Sequence, residues 1–277
     1  MAAGGAGMQA ADYDAWYRTP RGAWIGGVEY RLLSRLLEAL PGETLLDVGS
    51  GTGYFTRRFA ADGLAVTGLD PNSEWLAFAE ANTRSGEEFV AGRAERLPFA
   101  DRSFDLSVSV AALCFVREQQ QALREMLRVT RRRFAVGLLS RHSLLYLQKG
   151  RGGGKGAYRG AHWHSAAEIR ALFDGLPVEN LAIRSAVFLP GGGMFARSAE
   201  RILPACLPWG AFLVAAGDVV SLGLKEALKK CASGMKCKEP GAQRPRHINE
   251  IGEGASTAQR SDSPAQPLFQ SFLNGRL

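Results

Sequence analysis

Leu45-Leu46-Asp47-Val48-Gly49-Ser50-Gly51-Thr52-Gly53 is the stretch whose reading decides the fold. Its apolar start reads as a buried strand over Thr44–Val48, which carries Asp47 to the strand's carboxyl end. Three alternating glycines then turn the chain into a helix over Tyr54–Ala61. Glycine adopts positive φ at little cost and lets a ligand approach the backbone closely. In open α/β sheets that edge is where ligands bind. The spacing is G-x-G-x-G with an acid two residues before the first glycine. The dinucleotide fingerprint is G-x-G-x-x-G. Here the third glycine arrives one residue early, which suits a ligand without a pyrophosphate.

The neighbouring segments extend the pattern. A second strand, 64–69, closes on Asp70-Pro71, a carboxylate 17 residues beyond Gly53. An acid there can accept hydrogen bonds from both hydroxyls of a ribose; alternatively, Asp70 only starts a turn before Pro71. Upstream, Leu32, Leu33, Leu36, Leu37 and Leu40 have helical spacing within 28–40, and Pro41-Gly42 ends that helix. Downstream, Asn72 caps a helix running to about Asn82, with Glu74 in its first turn. Strands follow at Glu88–Ala91 and Phe104–Val110, then a helix over 117–129 and a fifth strand over 134–139. Strands alternating with helices imply a parallel sheet with right-handed crossovers.

Beyond residue 140 the pattern loosens. Residues 149–160 (KGRGGGKGAYRG) read as a mobile, basic loop. Ser165 and Glu168 form a capping box for a helix through Phe173. Residues 178–189 have strand character, 190–193 form a sharp loop, and 210–216 a final strand. A short amphipathic helix fits 219–231. From 233 onward Gly, Pro, Ser and charged residues displace the apolar periodicity, which predicts a disordered tail.

With 277 residues, 46% of them hydrophobic, the chain can bury a core without disulfides or metal. Cys114, Cys206, Cys231 and Cys237 form no CxxC pair, so the thiols read as reduced and no metal is expected. The N-terminus lacks the pattern of a secretory signal. The apolar stretch 209–220 is shorter than the roughly 20 residues that span a bilayer. The expectation is a soluble, cytoplasmic protein. A net charge of +7 leaves nucleic acid open as a partner. Arg131-Arg132-Arg133 reads as a solvated turn between helix and strand, or else as a phosphate-binding patch.

LLDVGSGTGYFTRRFA, GLDPN, AGRAERLPFADRSFDLSVSV and LREMLRVT, in this order and spacing, resemble class I methyltransferases dependent on S-adenosylmethionine (SAM), in particular the type 11 group. The likeness runs from about Tyr13 to Ser140. It implies an α/β fold with a doubly wound, seven-stranded, mostly parallel sheet whose first five strands are parallel and whose last is antiparallel. Four regions follow from it: an N-terminal segment and cofactor lid (1–26), a SAM-binding core (27–140), an acceptor-covering region with the C-terminal strands (141–232), and the tail (233–277). The resemblance implies that Asp47 and the backbone of Gly49, Ser50 and Gly51, within the turn closed by Gly53, hold the methionine end of SAM. It gives Asp70 the ribose, with Pro71 and Asn72 beside it, and sets Arg93, Ala94 and Glu95 around the adenine. Val110 and Ala111 become the floor near the sulfonium. Tyr13, Trp16 and Tyr17 become a lid, where cation–π attraction is worth about 0.5–2 kcal/mol; the alternative is a helix packed on the sheet through Trp16.

The chain also departs from the family pattern. It has no (N/D)PP(Y/F) tetrapeptide, which argues against base amino groups as acceptors. Thr130-Arg131-Arg132-Arg133 replaces a K-P-G-G turn, which suggests a tighter turn. Methyl transfer needs alignment and water exclusion more than an elaborate apparatus. If a general base exists, the candidates are His162, His164, His142 and Tyr158. The implied function is methyl transfer to a small-molecule acceptor. The alternatives are an RNA- or protein-directed methyltransferase, a non-catalytic SAM-binding regulator, and a nicotinamide enzyme disfavoured by the glycine spacing. Clustered thiols for a metalloid are absent, and Cys114 reads as core.

Overall fold

A computed structural model describes residues 9–220. The expected tail and most of the expected 219–231 helix lie outside the described residues, as do Cys231 and Cys237. Seven strands form one sheet in the order β3-β2-β1-β4-β5-β7-β6. They are β1 (Thr44–Val48), β2 (Ala65–Asp70), β3 (Glu88–Ala91), β4 (Phe104–Val110), β5 (Thr130–Leu139), β6 (Val178–Ala186) and β7 (Phe212–Val219). The first five pair in parallel, while β7 runs antiparallel to both β5 and β6.

The central strands read as apolar runs because both of their faces are covered. Leu45, Leu46 and Val48 are fully buried, as are Leu106 and Val108 of β4. The covering helices are α1 (Ala10–Trp16), α2 (Pro20–Leu37), α3 (Tyr54–Ala61), α4 (Ser73–Ala81), α5 (Gln119–Val129), α6 (Ala166–Leu172) and α7 (Met194–Ile202). The order reverses between β1 and β4, so a crevice opens above their carboxyl ends. Among the described residues no helix is long and apolar enough to cross a membrane.

Two caps follow the sequence closely. The Asn72 side chain accepts from the N–H groups of Glu74 and Trp75, and Ser165 with Glu168 forms the capping box of α6. Other expectations need correction. The helix expected over 28–40 is α2, which starts eight residues earlier, at Pro20: the Thr19 hydroxyl accepts from Gly22 N–H and Pro20 supplies a fixed φ at the first position. It ends at Leu37, before Leu40. The 149–160 segment is folded into short turns over Tyr146–Gly150, Arg151–Gly153 and Gly156–Tyr158, closed by bonds such as Gly160 N–H to Gly153 O (2.9 Å). The strand expected over 178–189 stops at Ala186, and β7 runs on to Val219, where the last expected helix was to begin. Helix α7 was not foreseen; Glu200 on it accepts from the N–H groups of Val187 and Phe188 at 3.0 Å each.

The arginine run is not a turn. Helix α5 passes directly into β5 at Thr130, whose hydroxyl donates to Met126 O (2.6 Å). Each arginine has an acidic partner: Arg131 with Asp105 (3.0 Å), Arg132 with Glu43 (2.7 Å), and Arg133 with Asp218 (2.7 Å) and Glu38 (3.1 Å). Arg133 also donates to Leu36 O (2.6 Å), tying α2 to the junction of β5 and β7. Its side chain is 12% exposed, against 46% for Arg131. Exposed pairs contribute little, whereas an enclosed one is costly to break. Arg133→Ala should therefore cost about 2–3 kcal/mol in urea denaturation, and Arg131→Ala under about 0.5 kcal/mol. Equal effects would show that enclosure is not what matters there.

Candidate functional site

The crevice at the reversal point is a cavity of about 420 Å³. Part of its wall is the glycine turn. Asp47, Gly49, Ser50, Gly51 and Thr52 line it from below, and Val110 and Ala111 from the end of β4. Gly49, Gly51 and Gly53 all have positive φ. Ala111 does too, at 58°, an unusual conformation for a residue with a side chain. Gly53 shapes the turn and stands at the start of α3, away from the cavity wall.

What the turn offers a ligand is set by its hydrogen bonds. Gly49 N–H and Ser50 N–H both donate to Leu69 O, at 2.7 and 3.0 Å, and Gly51 N–H donates to Asp70 Oδ2 at 3.0 Å. A phosphate at such a turn needs free N–H groups. Here the N–H groups of Gly49, Ser50 and Gly51 are committed, so these three are not available to a phosphate. The turn offers an acceptor instead. Asp47 is 1% exposed; one carboxylate oxygen accepts from the Thr56 hydroxyl (2.7 Å), and Oδ1 has no partner among the described residues. Burial pushes its carboxyl up to about 7, only partly offset by Thr56. The buried hydroxyls of Ser50 and Thr52 are likewise unpartnered.

Asp70 is 1% exposed, and its two oxygens accept from Gly51 N–H and from Asn72 N–H (2.9 Å). Those bonds fix the carboxylate beneath the turn and leave it two further lone pairs. It does not reach the cavity wall, and neither do Pro71 and Asn72. Arg93, Ala94 and Glu95 also lie off the wall; Arg93 pairs with Glu95 at 2.9 Å. In their place Trp75 of α4 lines the cavity, its ring 4.9 Å from that of Tyr13.

Tyr13, Trp16 and Tyr17 cover the cavity, and the segment is also packed down. Tyr17 stacks on Tyr54 at 3.8 Å, and Asp14 meets Arg57 at 2.7 Å with both side chains nearly enclosed. The segment is thus packed on the fold, with Tyr17 rather than Trp16 as the buried anchor.

Much of the remaining wall is apolar, with Ile25, Leu139, Leu145, Val187 and Ala211. Val187 has φ 63°, a strained value for a β-branched residue, held by Glu200. Tyr158 lines the cavity too, as do Arg21, Glu29 and Lys149, which the sequence did not single out. The histidines are elsewhere. His162 and His164, with rings 4.5 Å apart, line another cavity with Gln119 and Glu168. His164 is buried and bonded to Gln119 Oε1 (3.0 Å), and burial, with His162 beside it, pushes its imidazole down to about 4. His142 is exposed and off both walls. Cys114 is core: its sulfur accepts from Leu139 N–H, and burial pushes the thiol up to about 12.

Comparison with known proteins agrees with this geometry. A methyltransferase-domain family model matches residues 46–133. An uncharacterized protein of Mycobacterium tuberculosis is 34% identical over 202 residues, covering 69% of this chain; the chain spans 66% of that relative's length. The demethylmenaquinone methyltransferase of Renibacterium salmoninarum is 42% identical over 101 residues, 36% of this chain and 42% of that one. A solved SAM-dependent methyltransferase of Thermotoga maritima, described as a possible histamine N-methyltransferase, superposes with a TM-score of 0.59. It covers 75% of this chain and 94% of its own at 24% identity, which speaks to the fold alone. With a seven-stranded mixed sheet, a methyltransferase-domain match and these relatives, the chain belongs to the class I SAM-dependent methyltransferases.

Proposed function

We propose that the protein transfers a methyl group from SAM to a small-molecule acceptor held against the apolar wall of the cavity. The observation that carries this reading is the unpartnered Oδ1 of Asp47, buried beside a turn in which the N–H groups of Gly49, Ser50 and Gly51 already have acceptors. A buried carboxylate without a partner is costly, and a cationic donor offsets that cost. The α-ammonium of SAM is such a donor, so the residues present fit the group. Asp47 would hold the ammonium, with Ser50 and Thr52 hydroxyls beside it. Asp70 would use its remaining lone pairs on the ribose, and Trp75 offers a face for the adenine in place of 93–95. Val110 and Ala111 would support the reacting centre, under Tyr13, Trp16 and Tyr17. SAM supplies an electrophilic methyl on a positive sulfur; the protein's part is to align the acceptor and exclude water.

In this reading α1 is the lid, 27–140 the cofactor core, and 141–220 the described part of the acceptor cover. His162, His164 and His142 are poor general bases because they do not face the cavity, and Tyr158 is better placed. Acid partners on all three arginines of 131–133 weaken the case for RNA. The unpaired thiols of Cys114 and Cys206 support a cytoplasmic setting.

Transfer of labelled methyl from SAM to a metabolite panel tests the proposal; SAM binding without product on any acceptor would leave a regulator, and NAD binding in place of SAM would refute it. The lid makes a separate prediction. Arg57 bridges Asp14 and Thr52 O at 2.7 Å each. Arg57→Ala should weaken SAM binding about tenfold, and Asp14→Ala in that background should add little because the pair acts as a unit. Additive losses in the double-mutant cycle would contradict this.

A further inference from the structure

The cavity contains a second carboxylate, and the cofactor reading does not use it. Glu29 stands in the middle of α2 and lines the cavity. It makes no hydrogen bond and no ion pair with any described residue. The groups that face it are aromatic hydroxyls, not cations: Tyr13 and Tyr17 from the lid, and Tyr158 from the turn after 155. Each of these phenols is pushed up by burial and, to a lesser extent, by the negative charge of Glu29. Arg21, two turns back on the same helix, gives its Nε to Pro190 O (2.7 Å), and Lys149 is exposed. Burial alone pushes the Glu29 carboxyl up to about 8.

No described residue gives this acid a structural partner. A carboxyl kept for packing or stability is paired, as Glu43, Glu125 and Glu168 are in this chain. An unpaired one enclosed by apolar and aromatic walls is complementary to a positive head on an apolar body. The surrounding tyrosine rings favour the same head, since aromatic faces attract cations.

We propose that Glu29 is the anchor of the acceptor subsite, and that the acceptor is a primary or secondary amine carried on an apolar or aromatic body. The inference rests on the methyltransferase reading above. The amine enters as its ammonium and pairs with the Glu29 carboxylate. It gives up one proton to that carboxylate before the freed nitrogen lone pair forms the N–CH3 bond. The electrons of the broken C–S bond stay on sulfur, so charge and atoms balance. The cavity then takes two ammonium groups, the cofactor's at Asp47 and the acceptor's at Glu29.

Three probes with one body and different heads test the assignment: 2-phenylethylamine, 2-phenylethanol and 3-phenylpropionate. Each is titrated calorimetrically into the full chain saturated with S-adenosylhomocysteine, in wild type and in Glu29→Gln. The amine should bind about tenfold tighter than the alcohol, with the carboxylate weakest. Glu29→Gln should erase that preference while leaving S-adenosylhomocysteine affinity within about twofold, which also shows that the variant is folded. Equal or tighter binding of the alcohol or the carboxylate, an amine preference that survives in Glu29→Gln, or failure of the amine to bind overturns the assignment. Failure of wild type to bind S-adenosylhomocysteine would instead overturn the methyltransferase reading beneath it.

Discussion

Asp47→Asn should lower SAM affinity by about a hundredfold or more, roughly 3 kcal/mol, while leaving the empty protein at least as stable as wild type. The side chains are nearly isosteric, and an asparagine oxygen can still accept the Thr56 hydroxyl that Asp47 binds at 2.7 Å. What changes is Oδ1, now a carboxylate oxygen with no partner. In the variant an amide N–H takes its place and meets the incoming ammonium donor to donor. The empty protein meanwhile loses an unpaired acid. The carboxyl is raised to about 7 chiefly by burial, so its protonated form is the one the fold favours. A raised acid contributes stability that is full below the ordinary aspartate range and is lost as pH rises through about 7. Wild type should accordingly lose stability across that window, and Asp47→Asn should lose less. SAM affinity should run the other way, climbing with pH by up to about tenfold per unit below the Asp47 transition, because the ammonium pairs only with the ionised acid. Thermal melts and calorimetry over the same pH series would check both slopes; a variant that binds SAM normally would remove Asp47 from the site.

The second large effect is expected at Gly49. Its φ is +79°, and a Cβ placed there would lie 2.2 Å from the Ala112 Cβ. Overpacking costs about 1–3 kcal/mol, and the left-handed backbone adds about 1 kcal/mol for a residue with a side chain. Gly42 separates the two contributions: its φ is +86° but nothing stands within 4 Å of the added Cβ. Gly42→Ala should therefore cost about 1 kcal/mol, and Gly49→Ala about 2–4 kcal/mol. The larger loss should also reach the cofactor, since Ala112 follows Ala111 on the cavity floor. Urea denaturation of both variants with SAM titration checks this; equal losses would mean that Ala112 yields freely.

The parts of the fold legible in the sequence are those specified locally. The strand–glycine-turn–helix unit, the Asn72 cap and the Ser165–Glu168 box each rest on residues a few positions apart, and the structure contains all three. The start of α2 was equally local: Thr19-Pro20 is a cap followed by a first-turn proline, and reading it would have placed Glu29 on the Ile25 face of a longer helix. The arginine strand was not legible, because three charged residues enter a sheet only when partners from α2, β4 and β7 and the loop before β1 arrive to neutralise them. Neither were the positive φ values of Ala111 and Val187, since no side-chain preference announces them. The histidines misdirected the sequence reading for a similar reason. Their spacing is local, but which cavity they face depends on the pairing of 164 beside β5.

The most direct measurement is a crystal structure of the full chain with S-adenosylhomocysteine. The ligand's amino nitrogen should lie about 3 Å from Asp47 Oδ1, with its sugar over Asp70. A ligand bound away from the glycine turn, or one whose carboxylate rather than its ammonium faces Asp47, would contradict that placement.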